Sequence, residues 1–187
     1  MMPVIRLSDA TFSELKAIAT WLSAKTPSET IDRLVREKLD ELGLARDSGD
    51  EPEIASNDDV MKFDQAPGLS FTRLTAAKVA GVPLKKMNWA HLLLAMIAAL
   101  KAKGLSSAKL VSELQVSAKT AQYVKEGYKY YPELGISVQG QAAQGAWKEI
   151  ERIATKWAIP VEAEFQWRQN AKAQYPSRSG LLRAGRK

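Results

Sequence analysis

The apolar positions of residues 2–44 change period once. Residues 4–8 alternate as a strand does, with Ile5 and Leu7 on one side and Val4, Arg6 and Ser8 on the other. From Asp9 the spacing turns helical: Phe12, Leu15, Ile18, Ala19 and Leu22 form one stripe, with Asp9 as a candidate cap. Thr26-Pro27-Ser28-Glu29 opens a second helix. Threonine at the cap, proline at the first helical position and glutamate three residues after the cap make a capping box. Ile31, Leu34, Val35, Leu39 and Leu42 carry the stripe onward, and Gly43 is placed to end it. The predicted order is strand, helix, helix.

Further along, the pattern mixes both periods. Residues 69–75 and 78–84 read as two strands around Ala80-Gly81, and Asn88 caps an apolar helix over 89–103 that Gly104 stops. A shorter helix runs from Ser106 or Ser107 to Leu114. Residues 129–131 and 136–139 flank the turn sequence Pro132-Glu133-Leu134-Gly135. A helix over 142–158 has Ala146, Ile150, Ile153, Ala154 and Trp157 on one side and ends at Pro160. Val161, Ala163, Phe165 and Trp167 then alternate with Glu162, Glu164, Gln166 and Arg168 as a half-buried strand. The class is α+β, a small sheet covered on one face by helices.

A unit as short as residues 1–44, with one unpaired strand, buries too little surface to fold alone. Two copies that pair their strands antiparallel solve this, placing Ile5 and Leu7 over a shared four-helix core. In these residues the chain resembles the ribbon-helix-helix family, the class of Arc and MetJ, over residues 2–44. The resemblance implies a homodimer whose two-stranded ribbon enters the DNA major groove and whose second helix holds a phosphate at its amino end. It makes Val4, Arg6 and Ser8 the base readers and places Thr26, Ser28 and Glu29 at the phosphate clamp. Arginine pairs bidentately with guanine, serine is tolerant, and valine touches at most a thymine methyl. A carboxylate beside a phosphate is unfavourable, so Glu29 departs from the pattern unless it turns back into the capping box. Higher oligomers, with dimers joining along DNA, stay open.

Charge divides the chain further. Residues 1–44 hold six basic and seven acidic side chains, a net of minus one, so the module alone neutralises few phosphates. Residues 45–66 hold seven acidic and two basic ones among Gly, Pro, Ser and Asn, the composition of a flexible linker. Residues 67–187 hold 19 basic and seven acidic ones, a net of plus twelve, which points to a polyanionic partner. Within this basic domain, 67–169, Lys119, Tyr123, Lys125, Tyr128, Lys129 and Tyr130 interleave rings with charges, a mixture able to stack bases and neutralise phosphates. Residues 170–187 carry Lys172, Arg178, Arg183, Arg186 and Lys187 with no acid and read as a flexible basic tail.

The same composition narrows the chemistry. With no cysteine in 187 residues there is no disulfide, thiol nucleophile or cysteine zinc site, which suits a cytoplasmic protein. The longest apolar run, residues 92–100, is half a membrane span, so no membrane association is expected. His91 is the only histidine and has no second nitrogen or sulfur ligand for zinc; one turn into an apolar helix it reads as structural. Gly135, Gly140 and Gly145 are spaced too widely for a phosphate loop, and no serine has a base in view. Glu162 and Glu164 share a strand face, and with Pro132-Glu133 they resemble in part the restriction-type nuclease core, although the lysine after the second acid is replaced by Glu164. No metal, cofactor or catalysis is expected.

Residues 67–175 resemble a bacterial family of type IV secretion effectors of the SepA type. The likeness lies in Asn88-Trp89, Tyr130-Tyr131-Pro132-Glu133-Leu134, the run from Gly135 through Ile136, Ser137, Val138, Gln139 and Gly140 to Gln141, and Pro160-Val161-Glu162. It implies a bacterial protein and names no chemistry. The expectation is a homodimer that binds double-stranded DNA selectively, a transcriptional regulator or a DNA-binding protein of defence or mobile elements. The competing class is an interaction protein whose first module only dimerises and whose second domain binds another protein. A nuclease-like enzyme is third.

Overall fold

In the computed structural model, which describes residues 6–22, 24–41 and 60–185, the first helix starts where Ser8 can close it. The Thr11 N–H donates to Ser8 Oγ at 3.1 Å, so α1 (Asp9–Trp21) is capped by Ser8, and Asp9 falls instead in the first turn, where its charge favours the helix dipole. The second helix, α2 (Pro27–Glu41), forms its capping box. The Glu29 N–H donates to Thr26 Oγ1 at 3.1 Å, and Glu29 Oε2 accepts from the Lys25 N–H at 2.8 Å. Arg6, Leu7 and Ser8 pair with no strand of this chain among the described residues, and Val4, Ile5, Leu42 and Gly43 lie outside them. The chain divides into two compact units, Met1–Leu39 and Asp40–Lys187.

The second unit is built on two sheets. Five strands stand in the order β1 (Met61–Phe63), β8 (Ser179–Ala184), β7 (Val161–Trp167), β2 (Thr72–Val79) and β3 (Val82–Pro83). All neighbours are antiparallel except β1 and β8. A smaller sheet has the order β4 (Ala118–Lys119), β6 (Ile136–Gln139), β5 (Tyr128–Tyr131). Between them in sequence lie α3 (Trp89–Ala102), α4 (Ser107–Glu113) and α5 (Ala143–Trp157). α3 and α5 pack on each other and on one face of the larger sheet, α3 against β2 and α5 against β8.

That face is chosen by the alternation of β7. Val161, Ala163, Phe165 and Trp167 are buried on the helix side, and Phe165 lies 5.7 Å from Trp89 of α3, which meets Trp147 of α5 edge-on at 6.2 Å. Each buried indole of this group with a partner uses a nearby oxygen: Trp89 Nε1 donates to Thr72 Oγ1 at 3.0 Å and Trp167 Nε1 to the Gly68 carbonyl at 2.8 Å. On the other face Lys78, Glu162 and Arg183 stand opposite one another across three strands.

Three expectations are corrected. The strands around Ala80-Gly81 are Thr72–Val79 and Val82–Pro83 rather than 69–75 and 78–84; a bulge between Leu74 and Ala76 carries the first strand through, and positive φ at Ala80 and Gly81 closes the two-residue turn. Met61–Phe63, inside the stretch read as linker, is an edge strand, because Phe63 reaches Phe165 at 6.5 Å and Trp167 at 5.9 Å. Residues 179–184, read as part of a free basic tail, are β8, which has β1 on one side and β7 on the other. Leu181 and Leu182 supply the buried surface that holds it there. Arg186 and Lys187 lie outside the described residues.

α4 is tied to α5 through charge. Arg152 donates through Nε and Nη2 to Glu149 at 2.9 Å each, and through Nη1 to Glu113 Oε1 at 3.2 Å. Lys156 Nζ and Trp157 Nε1 also donate to Glu113, at 2.9 and 3.2 Å. Glu149 is only 3 % exposed and takes the Gln115 N–H at 2.8 Å as well, so its carboxylate is buried with its hydrogen bonds made. The Lys156 hydrogen bond, joined by those of Trp157 and Arg152, holds the Glu113 carboxyl below its usual 4.5. A depressed carboxylate stabilises the fold above its unfolded value and loses that contribution as pH falls through the folded value. Denaturant midpoints between pH 3 and pH 6 should therefore vary less in Glu113→Gln than in the parent, the difference between the two proteins growing toward pH 6.

Candidate nucleic-acid interface

Of the residues assigned to base reading, Arg6 and Ser8 lead into α1, and Val4 lies outside the described residues. Ser8 Oγ already accepts the Thr11 N–H and lies 2.8 Å from Thr11 Oγ1, so contact with a base would compete with the cap. At the opening of α2, Glu29 does turn back. Its carboxylate takes the Lys25 N–H and is paired with Arg33 Nη2 at 2.9 Å, while Arg33 Nη1 donates to the Leu22 carbonyl at 2.8 Å. The charge that argued against a phosphate there is thus offset within the unit. Thr26 Oγ1 is occupied by the Glu29 N–H, which leaves the Ser28 hydroxyl as the clamp group with no bond to this chain among the described residues.

The two helices leave apolar side chains in water. Leu7 is 41 % exposed, Phe12 40 %, Leu34 36 % and Val35 50 %, whereas Leu15 is buried. Leu34 and Val35 belong to the α2 stripe, Phe12 to that of α1 and Leu7 to the inner side of the predicted strand, so the exposed groups are members of the predicted apolar faces that this chain alone does not cover.

In the second unit the interleaved rings and lysines separate into two groups. Lys119 of β4 places Nζ 3.5 Å from the Tyr123 ring centre and 4.6 Å from that of Tyr128, and the two rings meet edge-on at 5.2 Å. These three side chains satisfy one another, which reduces the ring faces left for stacking on a base. Lys129, whose Nζ lies 5.7 Å from the Tyr131 ring centre, and Tyr130 line a groove beside α3 together with Lys85, Lys86 and His91. Lys125 is exposed next to them in sequence only as part of the loop before β5. Arg178 is exposed in the turn before β8, and Arg183 faces Glu162 at 3.6 Å.

His91 is held by its helix cap. Asn88 Oδ1 accepts the His91 backbone N–H and lies 2.8 Å from Nδ1; an amide oxygen only accepts, so Nδ1 carries the proton. Burial, with Lys86 and Lys129 nearby, pushes the imidazole below its usual 6.5 and leaves it neutral at pH 7.

The carboxylates considered for nuclease chemistry are not assembled. Glu133 lies in the turn of the smaller sheet, while Glu162 and Glu164 are on β7 of the larger one, and no group of three His, Asp or Glu able to hold a metal occurs among the described residues. No helix among them is long and apolar enough to cross a membrane. No family model, curated protein or solved structure matches this chain.

Proposed function

We propose that the protein is a ribbon-helix-helix homodimer that binds double-stranded DNA selectively, with the first unit choosing the site and the basic second unit adding phosphate contacts. The observation that carries this reading is the set of exposed apolar side chains on the first unit, Leu7, Phe12, Leu34 and Val35, next to a leader of strand-like alternation. A second copy covers both at once. Its leader pairs with the first as an antiparallel ribbon, and its helices meet the uncovered stripes. Arg6 then stands on the outer side of the ribbon with its full set of donors. Glu29, paired with Arg33 and turned back onto the Lys25 N–H, opposes a phosphate at the amino end of α2 less than an unpaired carboxylate would.

Selection from a pool of random duplexes by gel shift, on the full chain, tests the proposal. A recovered consensus with two related half-sites is the expected result. On that consensus Arg6→Ala should lose about 1–3 kcal/mol and tolerate substitution of one base pair, as loss of a bidentate guanine contact requires. Equal loss on consensus and random DNA assigns Arg6 to phosphate. Absence of any recovered preference removes the ribbon model.

A further inference from the structure

α3 is apolar on both sides. Trp89, Leu92, Leu93, Met96, Ile97 and Leu100 enter the core. The opposite side repeats at the same helical spacing through His91, Leu94, Ala95, Ala98, Ala99 and Ala102, with His91 its one polar member. A helix at a domain surface ordinarily turns charged side chains to water on that side. Here the second face is the floor of a groove of about 860 Å³, walled by Val82, Pro83 and Leu84 of the β2–β3 hairpin and by Tyr130, Tyr131 and Pro132 of β5 and the turn after it.

The rim of this groove is positive. Lys85, Lys86 and Lys129 line it, and Glu133 is the one acid among the described residues that does. No carboxylate is ion-paired with these three lysines among the described residues. Lys86 and Lys129 share this lining with His91, and each acts on its imidazole. An apolar floor of small side chains with like charges gathered at its margin is complementary to a molecule that is apolar along its body and anionic at its head. The volume lies in the range of small-molecule sites, roughly 300–1,000 Å³. A nucleic acid would leave the alanine floor uncovered, and a second copy of the chain would set three lysines against three.

We propose that the groove between the β2–β3 hairpin, α3 and β5 binds a small apolar carboxylate, with the aliphatic or aromatic body on Ala95, Ala98 and Ala99 and the carboxylate at Lys86 and Lys129. The site lies within the second unit and does not require the DNA-binding reading, although it shares Lys129 with the candidate nucleic-acid surface.

The probes are decanoate, decanol and decylammonium, titrated below micelle formation into the full chain at fixed ionic strength. Calorimetry should give saturable binding of one decanoate per chain, at least tenfold weaker binding of decanol, and weaker still of decylammonium. His91 is the only histidine, so its ring protons give one set of resonances, which should shift along the same isotherm. Ala98 is exposed, and Ala98→Trp should fill the floor, weakening decanoate at least tenfold while the thermal midpoint holds. Lys86→Glu with Lys129→Glu should weaken decanoate more than fivefold and reduce its preference over decanol. Equal affinity for acid and alcohol overturns the proposal, as does undiminished binding in Ala98→Trp or a silent His91. Binding of a peptide of alternating Leu and Glu with none of decanoate overturns it also, in favour of a protein partner.

Discussion

On the proposed dimer, Leu34→Glu is expected to sediment as a monomer and to lose selective DNA binding. Leu34 is a partly exposed member of the α2 stripe in the single chain. In the dimer it would enter the shared core, where a carboxylate without a partner costs about 3–5 kcal/mol. Both copies carry the change, so the dimer constant should weaken by roughly four orders of magnitude or more. Sedimentation velocity over a concentration series reads this directly. Four of the five tryptophans, Trp89, Trp147, Trp157 and Trp167, lie in the second unit, so its fluorescence melt should persist and show that the variant acts on the first unit alone. A parent chain that is monomeric at every concentration removes the premise.

The second large effect concerns β8. Deleting residues 179–187 is expected to abolish the cooperative melt of the second unit, not merely to trim a few phosphate contacts. The deletion takes away the only strand partner of β1 among the described residues, strips one edge of β7 and removes Leu181 and Leu182 from the buried set. Domains hold together by only about 5–15 kcal/mol, and a strand with neighbours on both sides is a large share of that. Gly180→Val is the graded version. A Cβ at this position would lie 2.5 Å from Phe165 Cζ, and that ring is fixed among Phe63, Trp89 and Trp167. Overpacking of this kind costs about 1–3 kcal/mol, read as a lower midpoint in urea with the slope unchanged. If the truncated chain melts as the parent does, β8 is not part of the stable sheet.

These two regions also mark what is readable in the sequence. The helices are legible because caps and period agree: Asn88 accepts the His91 N–H at the start of α3, and the Thr26–Glu29 box closes α2. The strand β7 is legible because seven residues alternate without interruption. β8 offers a glycine and two leucines between arginines, too short a pattern to outweigh its charge, and its place is decided by the Phe165 ring that only glycine admits. β1 has three residues and owes its existence to contacts with rings more than a hundred positions away. For the candidate site, the aromatic and basic residues are visible in sequence, but not that Lys119 would be spent on Tyr123 and Tyr128 while Lys129 joins Lys85 and Lys86 at a groove. The one signal for the groove is in plain view: an α3 whose outward face carries alanines where charges are usual.

The place of β8 between β1 and β7 also sets an order of events during synthesis. The larger sheet joins residue 61 to residue 180, so it cannot close until nearly the whole second unit has been translated. The first unit is made of neighbours in sequence and has all its residues by Leu39. At about 5–20 residues per second, this leaves the first unit waiting about 7 to 28 seconds while the second is unfinished. Two ribosomes on one message would hold such first units side by side. The proposed dimer could then form between nascent chains, before either larger sheet exists.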